Sequence, residues 1–229
     1  MASSTEAITA GSKAVLYAKG AVQDPTTIGD CPFTHKARLG LAAEGINQYT
    51  LKLEDMSNKS SDLLKLNPKG TVPVWTCPSV DGTMVTIPDS EDILQQLCTS
   101  VVERTTPQEK DIIDNQLKAF QTSWFPAMRG TCPDGIGIDH KVAIHSHTPP
   151  DGRQALAKLP NKERGPITEL EAKLAPFLYH YSVAGVHYRN LDQLPKATVE
   201  FLKSVESTPE WKATVYTPEA VLAGWKKFF

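Results

Sequence analysis

The chain has 229 residues, 40% of them hydrophobic, with 24 Lys and Arg against 26 Asp and Glu and a formal net charge of −2. That length allows one large domain or two small ones, each with its own core, and the near-neutral balance without basic runs gives no electrostatic footprint for nucleic acid. No stretch has the apolar length that a bilayer span needs, and four irregularly spaced cysteines fit a reducing compartment better than a disulfide scaffold.

The opening residues are rich in Ser, Ala and Thr but lack arginine and fall short of a transit peptide. The chain therefore reads as cytoplasmic, or as organellar with such a peptide already removed. Ala14-Val15-Leu16-Tyr17-Ala18 is a short apolar run suited to a buried strand. After a polar loop, Pro32 opens an amphipathic helix with Phe33, Ala37 and Leu41 on one face. Tyr49 to Leu53 alternates like a second strand, and Ser61 to Leu66 suggests a short helix. Val72 to Thr76 is a β-branched and aromatic run, joined through the Asp81-Gly82 turn to Met84–Ile87 as a hairpin. Asp89 or Ser90 then caps a helix carrying Ile93, Leu94 and Leu97. The order βαβαββα is that of the thioredoxin-like fold, and it places Cys31 after the first strand, at the start of the first helix.

Arg104-Thr105-Thr106-Pro107 breaks this pattern and reads as a linker. From Pro107 the periodicity is helical, with Ile112, Ile113, Leu117 and Phe120 on one face. Residues 129 to 166, rich in Gly, Pro and His, are expected to be mainly loop. Helical patterns return at Thr168–Ala184, opened by the capping box Thr168-Glu169-Leu170-Glu171, at Pro195–Glu206 and at Pro218–Phe228. Pro176 is expected to kink the first of these or split it in two. The expected architecture is an α/β thioredoxin-like N-terminal domain over residues 13–100 and an all-α C-terminal domain over residues 107–229.

Gly29-Asp30-Cys31-Pro32-Phe33-Thr34 carries the most chemistry. Proline fits a first helical position because it has no N–H to leave unsatisfied and its φ is preset. Cys31 then lies beside the unpaired N–H groups of the first turn. Those groups and the helix dipole favour a thiolate, so the thiol is expected to ionise more readily than a free one. Thr34 stands where a C-x-x-C pair has its second cysteine, which makes Cys31 a monothiol nucleophile in need of an external thiol. A free cysteine is more usually a small buried hydrophobe. Cys77, Cys98 and Cys132 lack such a setting and are read as structural.

Thr71-Val72-Pro73-Val74 puts a proline at a strand entrance just before the hairpin. A cis bond there would turn the Val72 backbone outward, so that its N–H and C=O pair with an extended peptide as an added strand. An ordinary trans proline is the plain alternative; the expected position opposite the Cys-Pro helix start favours cis. Pro88-Asp89-Ser90 offers free N–H groups to a carboxylate and the Asp89 side chain to an ammonium, or it is simply a helix cap. Taken with Val72 and Cys31, it suits a small zwitterionic peptide whose thiol reaches Cys31, and glutathione answers that description.

Gly29 to Phe33, Asn67-Pro68-Lys69-Gly70-Thr71-Val72-Pro73-Val74 and Asp89-Ser90 together resemble the N-terminal half of the glutathione transferase superfamily. Within it they are most similar to the cysteine-type branches: dehydroascorbate reductases, omega-class transferases and chloride intracellular channel proteins. Lys19, followed by Gly20-Ala21-Val22, resembles the lysine and small-residue loop of plant-type dehydroascorbate reductases. Leu174-Ala175-Pro176-Phe177-Leu178-Tyr179-His180 and Ala223-Gly224-Trp225 resemble that family too. Residues 125 to 165 do not match, and Thr34 and His35 depart from the usual plant residues, as in a divergent, algal-like member.

The resemblance implies that Cys31 is the redox nucleophile and that Lys59, Val72, Pro73, Asp89 and Ser90 hold glutathione. It implies that Lys19 and Asp30 contact dehydroascorbate, that glutathione is a co-substrate with no tightly bound cofactor, and that the protein is a monomer of the cytoplasm or the chloroplast. By themselves, Lys19 and Lys59 read as solvated lysines and Asp30 as a loop acid making a local turn bond. A cation at Lys19 would stabilise negative charge developing on a substrate oxygen, whereas a bare Asp30 charge would raise the thiol pKa.

The implied reaction is glutathione-dependent reduction of dehydroascorbate to ascorbate in a ping-pong cycle. Two other readings stay open on the same scaffold. One is an omega-like transferase or thioltransferase using Cys31 on other substrates. The other is a membrane-associating, channel-like protein, against which His35, Lys36 and Arg38 count because they interrupt the first helix. His140, His145 and His147 are close in sequence, but no cysteine completes a standard zinc spacing with them, and no metal site is expected. Trp124, Phe125, Tyr179 and His180 either line the second side of the cleft or belong to the helical core.

Overall fold

The computed structural model describes residues 13–129, 165–189, 194 and 196–228. Val15–Lys19 forms β1, Thr50–Glu54 β2, Val74–Pro78 β3 and Met84–Ile87 β4, in a single sheet of order β2-β1-β3-β4. β1 runs parallel to β2, with Val15 opposite Thr50, and antiparallel to β3, with Leu16 opposite Trp75; β3 and β4 form the hairpin. The parallel pair needs a crossover, and α1 (Pro32–Ala43) supplies it. α2 (Ser61–Leu66) connects β2 to β3, and α3 (Ser90–Leu97) follows β4. The expected βαβαββα order and the expected hairpin are both present, with β4 at the expected bounds and the other strands displaced by one or two residues.

The rest is helical: α4 (Thr99–Glu103), α5 (Pro107–Ile112), a π-helical turn (Ile113–Leu117), α6 (Lys118–Arg129), α7 (Glu169–His180), a second π-helical turn (Tyr181–Gly185), α8 (Val186–Arg189), α9 (Lys196–Glu206), α10 (Pro209–Thr214) and α11 (Pro218–Trp225), which ends in a 3₁₀ turn (Lys226–Phe228). This is the thioredoxin-like half followed by an all-α half. α10 is absent from the sequence expectation because Pro209–Thr214 carries one large apolar residue, Trp211, where Ser61–Leu66 carries three leucines that mark a face. Most of the Gly-, Pro- and His-rich stretch, with Cys132, His140, His145 and His147, lies outside the described residues.

α7 is not split at Pro176. It runs unbroken from Glu169 to His180, capped by the expected box at Thr168, and widens into a π-helical turn only from Tyr181. Every residue from Ala172 to Tyr181 is buried. Packing on all sides therefore holds the turn in which the proline removes a hydrogen bond.

α7 packs directly on α1, and this contact joins the two halves. Phe33 of α1 meets Phe177 edge-on at 5.2 Å between ring centroids and stacks on Phe125 at 5.6 Å; Trp124 meets Phe177 at 5.1 Å. Lys36, Lys173 and Glu169 are buried in the same interface and meet at the partly exposed Glu91. Lys36 Nζ lies 3.0 Å from Glu91, and Lys173 bridges Glu91 and Glu169, the latter at 2.6 Å. Burial opposes ionisation of Glu91, but the two lysines outweigh it and hold its carboxyl below the ordinary value. From the middle of α1, Arg38 donates to the Thr214 carbonyl at 2.9 Å, satisfying an open group at the end of α10.

Two histidines are enclosed here with no exposed surface, His35 on α1 and His180 on α7. The Trp225 indole N–H donates to His180 Nδ1 at 3.0 Å, which makes Nδ1 an acceptor and leaves the proton of the neutral ring on Nε2. Burial lowers the His180 pKa from 6.5 to about 3 and pushes His35 well down as well. Between those values the unfolded chain binds protons that the folded one refuses, so stability should fall as pH drops below 6.5. The expected loss is about 1.4 kcal/mol per pH unit for each such histidine. Urea unfolding at stepped pH checks this: His180→Gln should flatten the slope by roughly one histidine's share.

Candidate active site

β1 ends at Lys19, and the chain returns to the same place eleven residues later. Gly29 N–H donates to the Lys19 carbonyl at 2.8 Å and Ala21 N–H to the Thr27 carbonyl at 2.9 Å, closing the loop. The closure depends on two glycines. A Cβ at Gly20 would strike the Pro25 backbone, and one at Gly29 would strike the backbone of Gly20. With the loop pinched shut, Lys19 Nζ stands 2.5 Å from Asp30 Oδ1, and both side chains are largely buried.

Cys31 is the N-cap of α1 and Pro32 its first residue, as the sequence suggests; the Thr34 N–H donates to the sulfur at 3.5 Å. Tyr216, from the segment between α10 and α11, donates its hydroxyl to the Cys31 carbonyl at 3.2 Å, and the Tyr179 hydroxyl donates to the Tyr216 carbonyl at 2.8 Å. The helical half thus fixes the backbone on which the thiol is mounted. Tyr216 was not singled out in the sequence, since a lone tyrosine carries no spacing that points at Cys31.

A thiol pKa below the ordinary value, expected from the cap alone, is not what the structure gives. Cys31 keeps part of its surface in solvent, yet burial pushes its pKa up. The Thr34 N–H and the Lys19 charge pull it down, and Asp30 adds a smaller upward push. The helix end does favour the thiolate, as reasoned, but desolvation of the charged form outweighs it. Burial likewise raises the Asp30 carboxyl, against the downward pulls of Lys19 and Lys227.

The expected glutathione-binding residues gather around the same end of the sheet. The Val72–Pro73 bond is cis, as anticipated from its position. The Lys59 side chain lies over Gly70, in the turn that leads to Val72. Asp89 is the N-cap of α3, accepting from the Glu91 N–H at 2.7 Å, and Ser90 is its first residue. Asp89 and Ser90 border a cavity of about 730 Å³ whose walls include Phe33, Lys36, Asp114 and Lys173, so the cavity opens between the two halves. Its volume is in the range of small-molecule sites.

Of the aromatic candidates for the second wall, Trp124, Tyr179 and His180 are buried core, and Phe125 is partly buried against Phe33. Cys77 and Cys98 are buried, and burial raises both thiols. Among the described residues, no group of three or more His, Cys, Asp or Glu is gathered as metal ligands, and no helix is long and apolar enough to cross a membrane.

A thioredoxin-like half with a cysteine capping its first helix, docked through that helix on an all-helical half, is the architecture of glutathione transferases. The family pattern for the glutathione S-transferase N-terminal domain matches residues 30–100. Glutathione S-transferase DHAR3, chloroplastic, of Arabidopsis thaliana is 31% identical over 223 residues, which span 95% of this chain and 81% of that one. A probable cytosolic DHAR1 of Oryza sativa subsp. japonica is 30% identical, spanning 90% of this chain and 94% of its own. The fold is also that of Chlamydomonas reinhardtii dehydroascorbate reductase, with a TM-score of 0.74 at 24% identity over 95% of this chain and 99% of that one. This chain belongs to the dehydroascorbate reductase (DHAR) family of glutathione transferases.

The opposing charges on Cys31 give a direct test. Asp30→Asn removes a group that raises the thiol pKa and frees Lys19, which lowers it, so both changes favour the thiolate. The pH dependence of Cys31 alkylation by iodoacetamide should move to lower pH in that variant. Lys19→Met should move it to higher pH.

Proposed function

We propose that this protein reduces dehydroascorbate to ascorbate at the expense of glutathione, with Cys31 as the redox nucleophile and no metal or prosthetic group. The observation that carries the reading is the setting of Cys31, a lone cysteine capping α1 with a buried Lys19–Asp30 pair at its side, in a chain of the DHAR family.

The Cys31 thiolate attacks an electrophilic carbonyl carbon of dehydroascorbate. Lys19 stabilises the negative charge that develops on the oxygen, and Asp30 accepts from a substrate hydroxyl. Water then attacks the sulfur and the C–S bond breaks, its electron pair passing to the former carbonyl carbon. One water proton goes with that pair, so ascorbate departs as its monoanion and Cys31 is left as a neutral sulfenic acid. One glutathione condenses with the sulfenic acid, forming a mixed disulfide and releasing water. A second glutathione thiolate attacks that disulfide, yielding glutathione disulfide and the free Cys31 thiolate. The sum is dehydroascorbate plus two glutathiones giving ascorbate plus glutathione disulfide.

Glutathione is held with its backbone against Val72 beside Pro73, its γ-glutamyl carboxylate at the N–H groups opening α3 near Ser90, and its ammonium on Asp89. Lys59, beside the turn that leads to Val72, pairs with the glycyl carboxylate. The raised pKa of Cys31 leaves the thiolate in the minority at neutral pH. The rate should accordingly climb with pH through the thiol's titration.

The test is ascorbate formation followed by absorbance, wild type beside Cys31→Ser. Turnover should fall to the uncatalysed rate in the variant while glutathione binding, measured by calorimetry, persists. Retained turnover in Cys31→Ser would refute the assignment.

A further inference from the structure

Gly224 is the seventh of the eight residues of α11. Within a helix, glycine is less favourable than alanine by about 1 kcal/mol, so its presence calls for a reason. A Cβ built on Gly224 would fall far inside van der Waals contact with Oδ1, Cγ and Oδ2 of Asp30. The C-terminal helix therefore lies directly on the carboxylate that pairs with Lys19, nearly two hundred residues away in sequence.

The helix has little freedom to retreat. Val221 and Trp225 are buried, the Trp225 indole donates to His180 at 3.0 Å, Tyr188 donates its hydroxyl to the Leu222 carbonyl at 3.0 Å, and the Trp225 ring meets Trp124 edge-on at 5.4 Å. Asp30 is pinned just as firmly from the other side, by the closed loop and by Lys19. Beyond Gly224, Lys227 sets a positive charge toward Asp30. We propose that Gly224 is a positioning residue of the active site: its missing side chain lets α11 close over the Asp30 carboxylate and hold it on Lys19, so that the C-terminal helix sets the charge beside Cys31. The kinetic consequence rests on the reading of Lys19 and Asp30 as dehydroascorbate contacts; the geometric claim does not.

A double-mutant cycle decides it, using wild type, Gly224→Ala, Asp30→Ala and the double variant. In the wild-type background, Gly224→Ala should push the carboxylate off its place and shift the Cys31 alkylation profile to lower pH. The KM for dehydroascorbate should rise on the order of tenfold, the size of a lost charge-assisted hydrogen bond, with the KM for glutathione unchanged. In the Asp30→Ala background the same substitution should alter neither quantity, and the thermal midpoint should hold or rise because alanine is the better helix former. Equal effects in both backgrounds, or an unmoved alkylation profile in the single variant, would overturn the proposal. If Gly224→Ala alone does not fold, folding of the double variant supports it, and failure of both refutes it. If the wild type does not reduce dehydroascorbate, the proposed function falls, while the alkylation arm still decides the role of Gly224.

Discussion

The constraint on which this structure turns is the burial of α1 on two sides at once. Its residues lie against α3, α7 and α10, with Pro32, Thr34, His35, Lys36, Ala37, Leu39, Gly40 and Leu41 all buried. A helix so enclosed has no water for its polar groups. Lys36 must be paired, and Glu91 and Lys173 form the network that does it. His35 must be neutral, and burial makes it so. At the start of the helix, Cys31 keeps some of its surface in solvent.

That position sets the electrostatic balance at the sulfur. Open N–H groups at a helix start favour negative charge, and the Thr34 N–H delivers this at close range. Burial in the same interface penalises the charge, and the penalty is the larger effect. Lys19 and Asp30 act in opposite senses on the thiol, yet they are held as a pair by a loop that only glycines at positions 20 and 29 allow to close. Within the proposed reaction, such a pair offers a polyhydroxylated dicarbonyl one donor and one acceptor side by side.

The helical half is more than a support for the sheet. It reaches the thiol's backbone through Tyr216, it buries Asp30 under α11, and it walls the cavity beside Asp89 and Ser90 with residues of the first π-helical turn and α7. Ion pairs whose lysines are buried, as Lys36 and Lys173 are, carry a desolvation cost that offsets much of their attraction. Here they tie α1, α3 and α7 to a single relative placement, and the cavity lies against that network.

Local features of the sequence determined the order of strands and helices in the first half, the cap at Cys31, the cap at Asp89 and the capping box at Thr168. Each depends on a few neighbouring residues whose periodicity or hydrogen-bonding chemistry acts within a turn or two. The cis bond at Pro73 was legible only once the fold had placed that proline. α10, with Trp211 as its one large apolar residue, shows no apolar face in sequence, and the continuity of α7 through Pro176 follows from packing that no local rule contains. The net direction of the Cys31 pKa, the pairing of Lys19 with Asp30 and the approach of Tyr216 and Gly224 were decided by tertiary structure alone. Desolvation and contact are set by which distant segments come to lie around a group, and no window along the chain records that.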